Sequence, residues 1–261
     1  PSEVHLCDNY SKLLLAAADL TSRAGDVDGT ILFIEDRLPL DDRLMSSVAQ
    51  TSAAELIRVS DAAAVEEFAR LPAPFPGMLR RNLSWQGARP VVPGRWRWSV
   101  IGDRTFDVGI VYHPGFFLSK VLAGRCERVV MRDDGYANYV RHRVPLAKAI
   151  PRLLAGRPPR LQTWGEERWI DEIQVVRPDQ LPATTRPKGS RITLADFMTR
   201  LDPEQSFSLA SAFWDEGTPV PSVRAPTALL LSQPIDQIGV CSTERKLELY
   251  ADLAARLRSL G

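Results

Sequence analysis

What the sequence has little of narrows it first. Its 33 basic and 32 acidic residues leave a formal charge of +1, so no surplus of one sign grips a polyanion regardless of its sequence, and nucleic acid is not an expected partner. The three cysteines, Cys7, Cys126 and Cys241, are odd in number, far apart and never spaced as CxxC. That argues against a disulfide framework or a zinc site and fits a reducing cytoplasm. No apolar run approaches the roughly 20 residues that a membrane-spanning helix requires, and Pro1-Ser2-Glu3 does not read as a signal sequence. Neither a GxGxxG loop nor a Walker sequence occurs, which weighs against dinucleotide and ATP enzymes. No internal repeat or low-complexity array interrupts the 261 residues, a length that can bury a substantial core.

What is present alternates. Val4-His5-Leu6-Cys7 reads as a strand, Asp8-Asn9 as a turn or helix cap, and Leu13, Leu14, Ala17 and Leu20 as one face of a helix with Gly25 as its stop. The unit repeats: a strand over 30–34, a helix capped by Asp41-Asp42 and running through Val48, and a strand over 55–59. This pattern predicts an α/β protein with a Rossmann-type parallel sheet covered by helices on both faces. Prolines at 72, 74, 76, 90 and 93 make the stretch 72–97 an extended excursion. Its tryptophans, with Trp98, suit either sugar stacking or a satellite core. The sheet resumes over 108–112, with a helix over 116–122, a strand over 128–131, a Pro- and Arg-rich connection over 151–160 and a strand over 172–176. Pro219-Val220-Pro221 reads as a linker, followed by a strand from Ala228 and a helix capped by Ser242 with Leu247 and Leu249 on its apolar stripe. The expected division is 1–221 for the first domain and 222–261 for the start of a second, which supplies too little to fold alone.

The most informative stretch is Arg128 to Tyr139. Asp133-Asp134-Gly135 follows a buried strand, and ligands of open α/β sheets bind at the carboxyl edge. An ionised aspartate there can take a proton from an attacking hydroxyl, and a neighbouring carboxylate raises the proton affinity of the pair. An ordinary Asp-Gly turn with solvated charges has the same spacing. Asp8-Asn9-Tyr10 occupies the first strand-to-helix turn, as cap or as ligand contact. His113-Pro114 follows a strand end and faces either the cleft or its own turn. His5, inside the first strand, is expected to be a satisfied core or edge histidine, and His142 is expected on a solvated helix face. Asp26-Val27-Asp28-Gly29 has the form of a metal-binding Asp-x-Asp but precedes a strand, so a turn is expected.

The Asp133-Asp134-Gly135 segment resembles the acidic motif of the bacterial sialyltransferases of lipooligosaccharide and capsule assembly. Two further stretches are similar in order and spacing. These are Trp169 to Pro178 with Leu181-Pro182, and Leu229-Leu230-Leu231-Ser232-Gln233-Pro234 followed by Ser242 to Tyr250. Together they cover about 100–257. The resemblance implies a GT-B architecture, with an acceptor-side Rossmann-like domain over 1–221 and a nucleotide-sugar domain beginning at 222. It implies an inverting transfer of sialic acid or a related acidic sugar from a CMP-activated donor to a saccharide acceptor on a surface glycan, with no cofactor and no obligatory metal. Asp133 would be the base, with Asp134 and Gly135 shaping its loop. Asp8, Asn9, Tyr10 and His113 would border the acceptor, and Ser232 and Gln233 the nucleotide. The family's donor-site His-Pro does not follow the helix at 243–260, so a truncated second domain is expected. Two alternatives stay open: a GT-B transferase using another activated sugar, and a non-catalytic saccharide-binding module. A cytoplasmic location is implied, and a peripheral position on the cytoplasmic face of the inner membrane is compatible with it.

Overall fold

The computed structural model describes residues 1–36, 38–70, 98–132, 135–146, 149–154 and 158–213, together with 242, 244, 245, 247, 248, 251 and 252. The chain divides into two compact units, Pro1–Trp214 and Asp215–Gly261, where the linker composition predicts a boundary at about 222. Asp133, Asp134, Ser232, Gln233, the excursion 72–97 and the strand expected from Ala228 lie outside the described residues.

The first unit opens with β1 (Ser2–Cys7), α1 (Tyr10–Thr21), β2 (Asp28–Ile34), α2 (Asp42–Ser52), β3 (Glu55–Val59) and α3 (Asp61–Ala69). Further along the chain come β4 (Phe106–Val111), α4 (Phe117–Ala123), β5 (Cys126–Arg132) and a 3-10 turn, Gly135–Tyr139. A small insertion follows, with β6 (Arg141–Arg143), α5 (Ala149–Leu154) and β7 (Leu161–Thr163). The unit closes with β8 (Glu172–Val175), β9 (Gly189–Arg191), α6 (Leu194–Met198) and α7 (Pro203–Ala212). Seven strands form one parallel sheet in the order β3-β2-β1-β4-β5-β8-β9, and β6 and β7 pair separately as an antiparallel ribbon. The architecture is Rossmann-like: a seven-stranded parallel sheet flanked by helices.

Alternation along the strands sorts the core into two layers. Val4, Leu6, Leu32, Ile34, Val111, Val129 and Met131 point to one face and pack with Phe68 of α3 and Phe117, Leu118 and Val121 of α4. Cys7, Ile31, Phe33, Ile110, Tyr112 and Val130 point to the other, beneath Leu13 and Ala17 of α1, Leu44 and Val48 of α2, Phe197 of α6 and Leu209 of α7. β4 and β5 lie close enough that a side chain at Gly109 would collide with the Cys126 Sγ, 2.5 Å from where its Cβ would stand.

The helices start where polar side chains can accept their unpaired N–H groups. Asn9 accepts from the backbone N–H of Lys12 at 3.0 Å, Asp41 from Leu44 at 2.7 Å and Ser60 from Ala63 at 3.0 Å. At the start of α4, Phe116 offers no such group. There Asp61 of α3 accepts from the backbone of Phe117 at 3.2 Å and Leu118 at 2.7 Å, which couples the two helices of the first face.

Several expectations are corrected. The connection over 151–160 contains the end of α5, with Pro151 in its first turn, where no intrahelical N–H bond is lost. His142 sits on β6, not on a helix, and is half-buried. Asp28 and Gly29 begin β2 instead of completing a turn. In the second unit, Ser242 Oγ accepts from the Arg245 N–H at 3.2 Å, the cap expected there. Leu247, placed on that helix's apolar stripe, is 62% exposed. Among the described residues, no helix is long and apolar enough to cross a membrane.

Candidate functional site

In the sheet order, β1 and β4 are neighbours, yet the helices that follow them pack on opposite faces, α1 on the second and α4 on the first. Such a reversal opens a crevice between the carboxyl ends of the two strands, where ligands of this fold class bind. Asp8, Asn9 and Tyr10 follow the end of β1, and His113 follows the end of β4. Four of the residues singled out from sequence thus follow the carboxyl ends of two neighbouring strands.

Their local bonds are specific. Asp8 Oδ1 pairs with Lys12 Nζ at 2.6 Å, and that ammonium lies 5.8 Å from the centre of the Tyr112 ring. Tyr10 stacks on Phe33 and donates its hydroxyl to the Pro39 carbonyl at 2.7 Å. His113 Nδ1 accepts from the Gly115 N–H at 2.8 Å, so a neutral His113 carries its proton on Nε2. The ring lies 4.8 Å from Phe116 and 4.3 Å, edge-on, from Trp164. Trp164 in turn stacks with His142 at 5.3 Å, and His142 Nε2 donates to the Ala137 carbonyl at 2.8 Å. A half-buried aromatic shelf, His113, Trp164 and His142, therefore joins the crevice to the β6–β7 ribbon. The loop behind Trp164 is held from a distance: Lys188 Nζ donates to the carbonyls of Gly165, Glu167 and Ile170 at 3.3, 2.7 and 2.7 Å. β5, next to β4, ends at Arg132, and Gly135 has φ of 80°, a left-handed conformation that glycine adopts without penalty.

A cavity of about 820 Å³ lies elsewhere. It runs along the second face over β1, β4, β5 and β8 and is walled by Phe197, Arg191 and Arg200. Its floor is a buried charge network. Glu3 accepts from His5 Nε2 at 2.7 Å and from Arg23 at 2.6 and 3.0 Å. Asp19 accepts from Arg23 Nε at 2.9 Å and lies 2.9 Å from Arg132 Nη2, whose Nε donates to Gln174 at 3.1 Å. Arg132 is 4% exposed, and its guanidinium lies 5.0 Å from the Phe197 ring centre. Burial alone would push the Glu3 carboxyl up, but the hydrogen bonds from His5 and Arg23 hold it far below the usual carboxylate range. Burial pushes the His5 imidazole down and keeps it neutral. Glu3, His5 and Asp19 bring ligand atoms within 4.8 Å of one another. Two guanidiniums already occupy those carboxylates, however, so the arrangement is complete as an ion-pair network, with two positive charges against two negative. We therefore assign the network to the core and the candidate site to the carboxyl edge.

Sequence reasoning missed Trp164 and the role of His142. The signal available was weak: an isolated tryptophan and a histidine between arginines, brought together only by the ribbon. No family model, curated protein or solved structure matches this chain.

Proposed function

We propose that the chain is an inverting glycosyltransferase that moves sialic acid or a related acidic sugar from a CMP-activated donor to a saccharide acceptor bound at the carboxyl edge. The observation that carries this reading is topological: β5 ends at Arg132 beside the strand that delivers His113, and Asp133 is the next residue. In this reading Asp133 takes the proton of the acceptor hydroxyl as its oxygen bonds to the anomeric carbon. The bond from that carbon to the phosphate oxygen breaks, and its electron pair leaves with CMP. The centre inverts because attack and departure are in line. Asp134 and Gly135 shape the loop, while Asp8, Asn9, Tyr10 and His113 orient the acceptor, a contribution that reduces the entropic cost of reaching the transition state. Trp164 adds an aromatic surface against which a sugar ring can pack. The GT-B arrangement belongs to the same proposal, with Asp215–Gly261 opening a second Rossmann-type domain in which Ser232 and Gln233 touch the nucleotide.

Incubation of a polypeptide containing this chain with CMP-sialic acid and saccharide acceptors is expected to release CMP. Asp133→Asn should lower that rate by about 10²-fold or more, the range for loss of a general base, with an unchanged circular dichroism spectrum. Release that is unaffected in Asp133→Asn removes the base assignment. Glycan binding with no CMP release makes the chain a saccharide-binding module.

A further inference from the structure

The insertion between β5 and β8 carries a surface that the rest of the fold does not explain. Arg152 of α5 is buried, pairs with Glu166 at 2.7 Å, and donates to the carbonyls of Pro158, at 3.0 Å, and Leu161. One side of the short helix is thereby pinned to the ribbon. Ile150 and Leu153, three residues apart and so neighbours on a helix face, are 70% and 63% exposed. Leu146, just before the helix, is 69% exposed, and Leu161 of β7 is 39% exposed. In the ribbon Leu161 lies directly opposite Arg143 and shares its face, as does Arg141 two residues away. Arg141, Arg143 and Arg160 are all exposed.

Composition supplies the second observation. Over 141–161 the chain has six basic residues, Arg141, Arg143, Lys148, Arg152, Arg157 and Arg160, and no Asp or Glu, within a protein whose total charge is +1. Exposed leucine and isoleucine side chains set among arginines, with no acidic residue in the segment, match the chemistry of an anionic bilayer surface. The apolar groups enter the acyl boundary and the guanidiniums meet phosphates.

We infer that the β6–α5–β7 insertion is a docking surface for an anionic phospholipid membrane, reached through Ile150, Leu153 and Leu146 and steered by Arg141, Arg143 and Arg160. This inference does not rest on the transferase reading. His142, on the opposite face of the ribbon from its neighbours Arg141 and Arg143, packs on Trp164 of the aromatic shelf. The same ribbon thus presents lipid-facing groups outward and the candidate site inward.

Sedimentation with vesicles of phosphatidylcholine containing about one-third phosphatidylglycerol tests it, against vesicles of phosphatidylcholine alone. The full chain should bind the anionic vesicles and release them as salt rises. Arg141→Glu with Arg143→Glu, and separately Ile150→Asp with Leu153→Asp, should each weaken binding by roughly tenfold or more. Both pairs alter exposed positions, so thermal unfolding should be unchanged and separates lost docking from lost folding. Equal binding to neutral vesicles, or undiminished binding by both pairs, overturns the inference. So does a stable dimer of the parent chain that Ile150→Asp with Leu153→Asp converts to monomer, since the face would then join two copies.

Discussion

The two faces of the sheet are made by the same strands and solve different problems. In β1 the residues run Glu3, Val4, His5, Leu6, Cys7, so Val4 and Leu6 enter a layer of aliphatic and aromatic side chains under α3 and α4, while Glu3 and His5 enter the layer under α1. The first face needs only shape and apolar area. The second buries charges, and it tolerates them because each carboxylate meets a guanidinium: Arg23 bonds to both Glu3 and Asp19, and Arg132 pairs with Asp19 and donates to Gln174. Burial by itself therefore does not identify a catalytic cluster. Here the most deeply buried ionisable groups are structural, and the candidate site lies at a strand edge where groups are half-exposed.

The contrast can be broken most severely at Asp19. Asp19→Ala leaves Arg132 and Arg23 short of a counter-charge and should cost about 3–5 kcal/mol in urea unfolding. The double replacement Asp19→Leu with Arg132→Met should recover most of that loss, and failure to recover would mean that the network does more than balance charge. Acid gives an intermediate test. Because the folded state keeps His5 neutral, the unfolded chain binds the additional proton below about pH 6.5, and stability should fall from there. Glu3, held below its ordinary range, adds a second loss that starts below about pH 4.3 and continues toward its lowered folded value. Urea midpoints that stay level between pH 7 and pH 4 would contradict the assignment of a neutral buried His5. The smallest effect is expected on the first face, where Ser60→Ala removes only the cap of α3. It should cost about 1 kcal/mol and leave the acid profile unshifted.

The frame of the fold was legible because its signals are local. The strands at 30–34 and 55–59 and the caps Asn9 and Asp41 follow from apolar runs and from side chains next to unpaired N–H groups. The ribbon was not legible, since Arg141-His142-Arg143 has no apolar alternation and becomes a strand only through pairing with 161–163. α3 escaped for a related reason: Ala64 and Phe68 alone are buried along it, too few to set a period. At the site, Asp8-Asn9-Tyr10 and His113 were found by their positions after strands. Trp164 is brought to His113 by a long connection, and no spacing rule predicts that contact.

Lys188 shows how far such a long-range dependence reaches. Its ammonium donates to three peptide oxygens at once, and it comes from a turn beyond β8. The loop carrying Trp164 is consequently held by chain roughly twenty residues downstream of it. Arginine cannot reproduce a compact three-pronged donor, so at this position an exchange usually counted as mild would dismantle the shelf's support while leaving every residue of the shelf in place.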